Sequence, residues 1–282
     1  MARIAFVTSQ ALHDLTPSDR LAAAALRARG ADVVPAVWTD PTVRWEGFDR
    51  VVVRSPWDYF AHQDRFLDWF DTLDCAGVPV ENPTSILRWN LDKIYLRELD
   101  IPVVATEWVA QAGTLDLPAI LRRRDWRRAV IKPTISAGGH DTWTVDAGNA
   151  AAIGERMAPV LGRCGLMIQP FVEQVRTRGE ISFLFFRKEF SHAVLKKPKA
   201  GEFRVQVEYG GSAEAFTPSP ALVTQAERVV RAVKGDLLYA RVDGVDVDGE
   251  FQLMELEVLE PDLFLGHSPR APERFAEAVL AR

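Results

Sequence analysis

Three acids near the end of the chain, Asp243, Glu255 and Glu257, sit where carboxylates are expensive. Residues 239–262, YARVDGVDVDGEFQLMELEVLEPD, read as a strand, an Asp-Gly turn and a second strand. Glu255 and Glu257 alternate with Met254, Leu256 and Val258, so one face is apolar and the other carries acids. Acids on a half-buried strand cost free energy unless something cationic meets them. Three converging carboxylates would make a hard-oxygen site for Mg2+, which binds through a few carboxylates plus substrate phosphates. Turn length decides whether they converge. A two-residue loop at Asp248-Gly249 would pair Asp243 with Met254 and turn it away from both glutamates. A three-residue loop, Asp248 to Glu250, pairs Val247 with Phe251 and sets Asp243 across from Glu255; such Gly-containing loops are common, and this is the expected register. The alternative is a solvated edge strand with its polar side outward.

Two further stretches carry chemistry. AVIKP (129–133) places Lys132 inside an apolar run, and TISAGGH (134–140) follows it as a loop of small residues. A lysine on a buried strand can neutralise phosphate, and a Gly-rich loop lets backbone N–H groups approach an oxyanion. The competing reading of Gly138-Gly139 is an ordinary hairpin turn. Earlier in the chain, Arg54-Ser55-Pro56-Trp57-Asp58-Tyr59 follows a Val-rich strand. Ligands of open α/β sheets bind beyond the carboxyl ends of strands, so Arg54, Trp57, Asp58 and Tyr59 are candidate substrate contacts. Here the alternative is a turn in which Trp57 plugs the core and Arg54 pairs with Asp58. No Walker A, GxGxxG, GxSxG, HExxH or paired CxxC occurs, which lowers phosphate-loop, Rossmann, hydrolase and zinc readings.

The elements that must position these groups alternate strand and helix. Residues 3–9, 32–38 and 48–54 read as strands of a small parallel sheet, with Pro35 marking an edge. Ser18 or Asp19 can cap an intervening helix, and 63–75 is amphipathic and ended by Gly77. A short strand at 78–80 leads towards a boundary near 86–90. Asp92 then caps a helix through Leu99. Strands follow at 103–108, 129–133, 141–145, 166–172 and 180–186, with helices at 117–124, 149–161, 219–233 and 272–280. The chain is an α/β, or α+β, protein with three units: 1–88, 89–168 and 169–282.

With 282 residues, the chain has ample capacity for a core. A net charge of −5 argues against nucleic acid or an anionic membrane as the main partner. Two cysteines, Cys75 and Cys164, lie in no metal or redox spacing, so a reducing cytoplasm is the expected setting. No apolar run reaches membrane-spanning length.

Taken in order along nearly the whole chain, these motifs resemble the ATP-grasp ligases, nearest in layout to glutathione synthetase and the ribosomal-protein glutamate ligases. The resemblance implies a small N-terminal α/β domain followed by two α+β lobes that sandwich ATP. It implies that Lys93 and Lys132 bind phosphate, and that the loop bearing Ser136, Gly138, Gly139 and His140 closes over the triphosphate. Gln169, Phe171 and Val172 fall at the linker that contacts adenine, and Glu180 falls where an acid holds the ribose. Lys197, Arg204 and Gln206 occupy the segment that meets the γ-phosphate and the acyl substrate, with Lys197 and Arg204 in catalytic positions. Asp243, Glu255 and Glu257 match the ligands of a pair of metal ions, Mg2+ with Mn2+ as a substitute. Homodimers and homotetramers are compatible with the resemblance. Three positions depart from the pattern: Pro170 has no N–H to offer adenine, Glu257 stands where many relatives have Asn, and Ser182 replaces an Arg near the acceptor. RSPWDY is also similar to a compact branch that includes the cycloserine-forming cyclo-ligase.

The implied reaction is ADP-forming ligation of a small carboxylate to an amine-type acceptor, within one molecule or between two, through an acyl phosphate. Positive charge from Lys93, Lys132, Lys197 and Arg204 would offset the repulsion between carboxylate and ATP. His140 and His267 are the nearest candidates for a general base. A kinase-like phosphotransferase would instead leave a stable phosphorylated product, and a nucleotide-binding regulator would keep its activity without the metal ligands.

Overall fold

Short Val- and Ile-rich runs build the first layer. The computed structural model describes residues 1–281. Strands β1 (Arg3–Thr8), β2 (Asp32–Val37), β3 (Arg50–Ser55) and β4 (Val80–Glu81) form a parallel sheet in the order β2-β1-β3-β4. Pro35 cannot donate to a ladder, and it lies on edge strand β2 as its chemistry requires. Alternation along β1 feeds two cores. Ile4 and Phe6 pack with α1 (Pro17–Ala28) and the C-terminal α8 (Ala271–Leu280), whereas Ala5 and Val7 pack with α2 (Gln63–Ala76). Thr16, not Ser18 or Asp19, caps α1 by accepting from Asp19 N at 3.0 Å. Ser18 and Asp19 are buried in the first turn and serve other partners.

The second sheet is antiparallel, in the order β5-β8-β6-β7, from Glu107–Val109, Leu166–Pro170, Arg128–Pro133 and Trp143–Asp146. Helices α4 (Leu117–Arg124) and α5 (Ala150–Leu161) cover it through Leu117, Ile120, Ile153 and Met157. Asp116 caps α4 at 2.9 Å, and Arg122, Arg123 and Arg124 fill its last turn, as the macrodipole favours. The expected strand at 103–108 is shorter: Val103 makes only a bridge to Leu253 before β5 begins. Helix α3 (Thr84–Leu91) leads into this part of the chain. The helix expected from Asp92 to Leu99 is a 3-10 turn, Lys93–Arg97, with Asp92 accepting from Ile94 N.

The third sheet runs β11-β10-β9-β12-β13, all antiparallel, from Ser212–Phe216, Glu189–Lys197, Glu180–Phe186, Tyr239–Val247 and Glu250–Glu257. Helix α7 (Pro220–Ala232), capped by Ser219, covers one face through Leu222, Ala226, Val229 and Val230; the short helix α6 (Gln174–Thr177) joins the two antiparallel sheets. No helix among the described residues is long and apolar enough to cross a membrane.

Candidate active site

The hairpin of β12 and β13 has a different turn from the expected one. Val247 pairs with Glu250, so the loop is the two-residue Asp248-Gly249, with both residues at positive φ (55° and 91°). Left alone, that turn would pair Asp243 with Met254. Instead the register shifts by one between Asp243 and Gly244, Met254 is the extra residue, and Asp243 lies opposite Glu255. A β-bulge therefore does what the longer loop was expected to do.

Cations fill the space between the acids. Arg241 shares a strand face with Asp243, lies opposite Glu257, and pairs with Asp243 at 3.0 Å and with the Glu257 carboxylate. Lys196 pairs with Glu180 at 2.5 Å and Asp243 at 3.3 Å. Register explains both, because Lys196 lies opposite Glu180, while Ser182, opposite Asp243, donates to it at 2.5 Å. Lys93 donates to Ser136 O at 2.8 Å and pairs with Glu255 at 3.2 Å. Lys132 lines the same wall, yet makes no ion pair within 4.0 Å among the described residues.

Titration follows these partners. Burial pushes Asp243 up, but Arg241 and Lys196 overcome it and hold the carboxyl at about 2. Glu255 is likewise lowered against burial by Lys93 and Lys132. Burial, helped by Glu255 and Asp243, pushes Glu257 well above the usual carboxylate range despite Arg241. Lys132 is lowered by burial and by Lys93, against the pull of Glu255. A partly desolvated cation without a carboxylate is poised for an anionic ligand.

Among the described residues no three His, Cys, Asp or Glu side chains are grouped to hold a metal ion. The expected convergence of Asp243, Glu255 and Glu257 is thus not present as a bare triad, because Arg241, Lys196 and Lys93 stand between the acids. The donor chemistry still fits Mg2+. Glu255 and Glu257 are partly exposed hard-oxygen donors two residues apart on one strand face, and Mg2+ takes one or two carboxylates plus phosphate oxygens. Asp243, 3% exposed and doubly paired, is the most committed of the three.

A cavity of about 920 Å3 opens over this network. Lys132, Ser136, Gly138, Gly139 and His140 line it from β6 and the loop after it, and Lys93 from the 3-10 turn. Gln169, Phe171 and Val172 line it from the end of β8, where Gln169 donates to Thr106 Oγ1 at 3.0 Å and Arg128 stacks on Phe171. Gly138 and Gly139 have φ of 59° and 71°, and a Cβ on Gly139 would press on Gln206. Gln206 and Arg204 close the far side. Arg204 is paired with Glu202 at 2.8 Å and stacked on Tyr209, and that pairing draws Glu202 down to about 2. His140 packs on Phe60, and Glu180 lines the floor.

Several expected contacts lie elsewhere. Lys197 is half exposed and pairs with Glu214 at 2.6 Å on the outer side of β10; strand alternation turns Lys196 inward instead. Arg54 is 1% exposed and off the cavity. It pairs with Asp19 rather than Asp58 at 2.8 Å and stacks on Tyr239. Asp58 accepts from Trp38 Nε1 at 2.7 Å and is also off the cavity, whereas Trp57 and Tyr59 line it. Three lining groups escaped the sequence reading: Lys196, Arg241 and Glu260. Arg241 had a signal, since it stands two residues before Asp243 and must share its face.

The chain is similar in sequence and fold to known proteins. Residues 102–265 match the model of the prokaryotic glutathione synthetase ATP-grasp domain, and residues 4–82 match the N-terminal domain of D-cycloserine synthetase DcsG. The cycloserine biosynthesis protein DcsG of Streptomyces lavendulae is 30% identical over 275 residues, covering 92% of this chain and 91% of that protein. A crystal structure of D-cycloserine synthetase DcsG superposes with a TM-score of 0.89 at 28% identity, covering 98% of each chain. A RimK domain ATP-grasp protein from Sphaerobacter thermophilus superposes at 0.71 with 20% identity, covering 99% of this chain and 100% of that one.

Proposed function

Because the chain belongs to the ATP-grasp ligases, we propose that it is an ADP-forming carboxylate–amine ligase acting on a small amino-acid-like substrate through an acyl phosphate. Intramolecular ring closure is the favoured form. The match of residues 4–82 to the N-terminal domain of a D-cycloserine synthetase supports it, since that part of the chain supplies Trp57 and Tyr59 to the cavity. We keep three units, 1–88, 89–168 and 169–282, with β8 carried over the last boundary to Pro170. The cytoplasm and a homodimer or homotetramer stay with the proposal as expectations.

One observation carries the reading: a single cavity holds Lys132, which makes no ion pair within 4.0 Å among the described residues, beside a floor of paired acids and cations. ATP supplies the phosphoryl group, and Lys132 and Lys93 neutralise its phosphates. Gln169, Phe171 and Val172 flank the adenine, and Glu180 meets the ribose. The loop with Ser136, Gly138, Gly139 and His140 covers the phosphates and excludes water. Glu255 and Glu257, with Asp243, would hold Mg2+, which would offset the negative charge of the phosphates. Two ions, with Mn2+ as a substitute, are the proposed set. A substrate carboxylate oxygen attacks the γ-phosphorus as ADP leaves; the amine then attacks the acyl carbon, phosphate leaves and the amine gives up a proton. Arg241 and Arg204 face the oxyanions formed on the way. Gln206 contacts the acyl substrate.

A screen of amino acids, their amides and dipeptides for carboxylate-dependent ADP release tests the proposal. Product mass decides its form: loss of one water from the substrate alone marks ring closure. A stable phosphorylated product, or no binding of ATP with Mg2+, would overturn it.

A further inference from the structure

Glu260 is the buried acid that the phosphate chemistry leaves unused. Three cations of the cavity wall are committed to other acids: Lys93 to Glu255, Lys196 to Glu180 and Asp243, and Arg241 to Asp243 and Glu257. Glu260 lines the same cavity at 8% exposure and makes no ion pair within 4.0 Å among the described residues. The Tyr59 hydroxyl beside it can donate one hydrogen bond. A carboxylate accepts several, so acceptor capacity remains. Burial pushes Glu260 upward, against the Tyr59 hydrogen bond and the charges of Lys93 and Arg241, neither of which lies within 4.0 Å of it.

The backbone that carries it is held with unusual completeness. Residues 259–263 belong to no helix or strand, yet each carbonyl lies within 3.2 Å of a side-chain N–H or O–H group. Tyr239 Oη lies 3.0 Å from Leu259 O, Trp57 Nε1 donates to Glu260 O at 2.9 Å, and Arg54 Nη2 to Pro261 O at 2.8 Å. Arg241 Nη1 donates to Asp262 O at 3.2 Å, and His192 Nε2 lies 3.0 Å from Leu263 O. Arg54 is thereby explained: it clamps this segment from the N-terminal sheet. Such anchoring fixes where the Glu260 carboxylate points and lowers the cost of ordering it on binding.

Resting on the ligase reading, we propose that Glu260 is the recognition site for a protonated amine carried by the acyl substrate, which makes the substrate an amino carboxylic acid. Lys132 and Glu260 are then complementary: neither makes an ion pair within 4.0 Å among the described residues, and one suits phosphate, the other ammonium. The recognised amine is not the nucleophile, because a protonated nitrogen has no lone pair with which to attack. Trp57 and Tyr59 wall the same end and give the ammonium a face to pack against.

Matched pairs of D- and L-probes test this: serine against glycerate and alanine against lactate, each pair differing only by amine or hydroxyl. The wild type is expected to prefer the amine member by about 10- to 100-fold in kcat/KM, the scale of one hydrogen bond to a charged group. Glu260→Gln should reduce that preference to near unity by raising KM for the amine member, with ATP affinity unchanged, and Glu260→Asp should fall between. No preference in the wild type, preference kept in Glu260→Gln, or loss of ATP affinity in parallel with both probes would overturn the assignment. If no probe yields ADP, the ligase reading is in question by itself. Equilibrium binding of the same pairs with ADP and Mg2+ then decides for Glu260, and absence of discrimination overturns it. Should Glu260→Gln fail to fold, wild-type discrimination and the Glu260→Asp variant carry the decision.

Discussion

Lys196 holds two carboxylates, Glu180 and Asp243, in a wall with little water, so its removal strands both. Lys196→Ala is expected to cost about 3–5 kcal/mol of stability, the scale for breaking a buried pair, and to abolish ADP release. Lys197→Ala removes only a surface pair with Glu214 and should cost under about 1 kcal/mol, with turnover near wild type. Denaturant midpoints and ADP release measured on both variants check the contrast; equal loss from both would refute it. Two adjacent lysines look alike in a sequence, and only the register of β10 against β9 says which one faces Glu180. Asp243, Glu255 and Glu257 were legible because alternation with apolar neighbours is a local signal. Their pairing with Lys196 depends on the register of neighbouring strands in one sheet, and the Lys93 contact on a 3-10 turn packed against that sheet, neither of which a local pattern reports. Glu255→Gln keeps the shape but removes the charge opposite Lys93, so ADP release should fall about 10²- to 10³-fold while the protein stays folded. Steady-state rates beside a thermal melt check it; turnover within a few-fold of wild type would remove Glu255 from the site.

The β12–β13 hairpin shows how an element can reach an expected pairing by another route. Its two-residue turn puts Asp248 and Gly249 at positive φ, and Asp-Gly is well suited to that geometry. The bulge at Met254 then restores Asp243 to Glu255. Gly244 sits at the shift, where an added Cβ would lie 2.4 Å from Gln252 O and 2.5 Å from the Phe251 ring. Close backbone approach there requires glycine, a constraint set by the partner strand and invisible in the run VDGVDV. Gly244→Ala is therefore expected to destabilise by about 1–3 kcal/mol, the usual cost of overpacking. Activity should fall further than that loss of stability accounts for, because any relief of the clash moves Asp243 relative to Glu255. Turnover at a temperature where the variant is fully folded separates the two effects. Helices α4 and α5 and strand β9 matched their expected spans closely, since propensity, capping and periodicity agree there. The 103–108 strand and the Asp92 helix did not, because their backbones bond to Leu253 and to the 3-10 turn instead.

Across the whole molecule, the N-terminal sheet and the C-terminal sheet are tied through side chains rather than through a shared ladder. Asn82 donates to Tyr239 O at 2.9 Å and Val258 O at 2.7 Å, and Asn90 donates to Leu256 O at 2.8 Å. His192 adds a titratable tie between β10 and the segment that carries Glu260. It is 7% exposed, with Ser191 Oγ 3.0 Å from its other ring nitrogen, and His267 and Arg274 are the ionisable groups nearby. Burial lowers its pKa from 6.5 to about 4, with His267 and Arg274 acting the same way and the carbonyl at Leu263 opposing them. The folded state thus binds fewer protons than the unfolded chain between those values. Stability is whole above the unfolded pKa and is lost as pH falls from about 6.5 towards about 4, by on the order of 3 kcal/mol at the limit. His192→Gln can still donate to Leu263 O but cannot titrate. Urea unfolding of both proteins from pH 8 to pH 4 isolates the effect, because the other titratable groups cancel in the difference. The gap between wild type and variant should shift in the variant's favour below pH 6.5, and a gap constant with pH would mean that His192 titrates alike in both states.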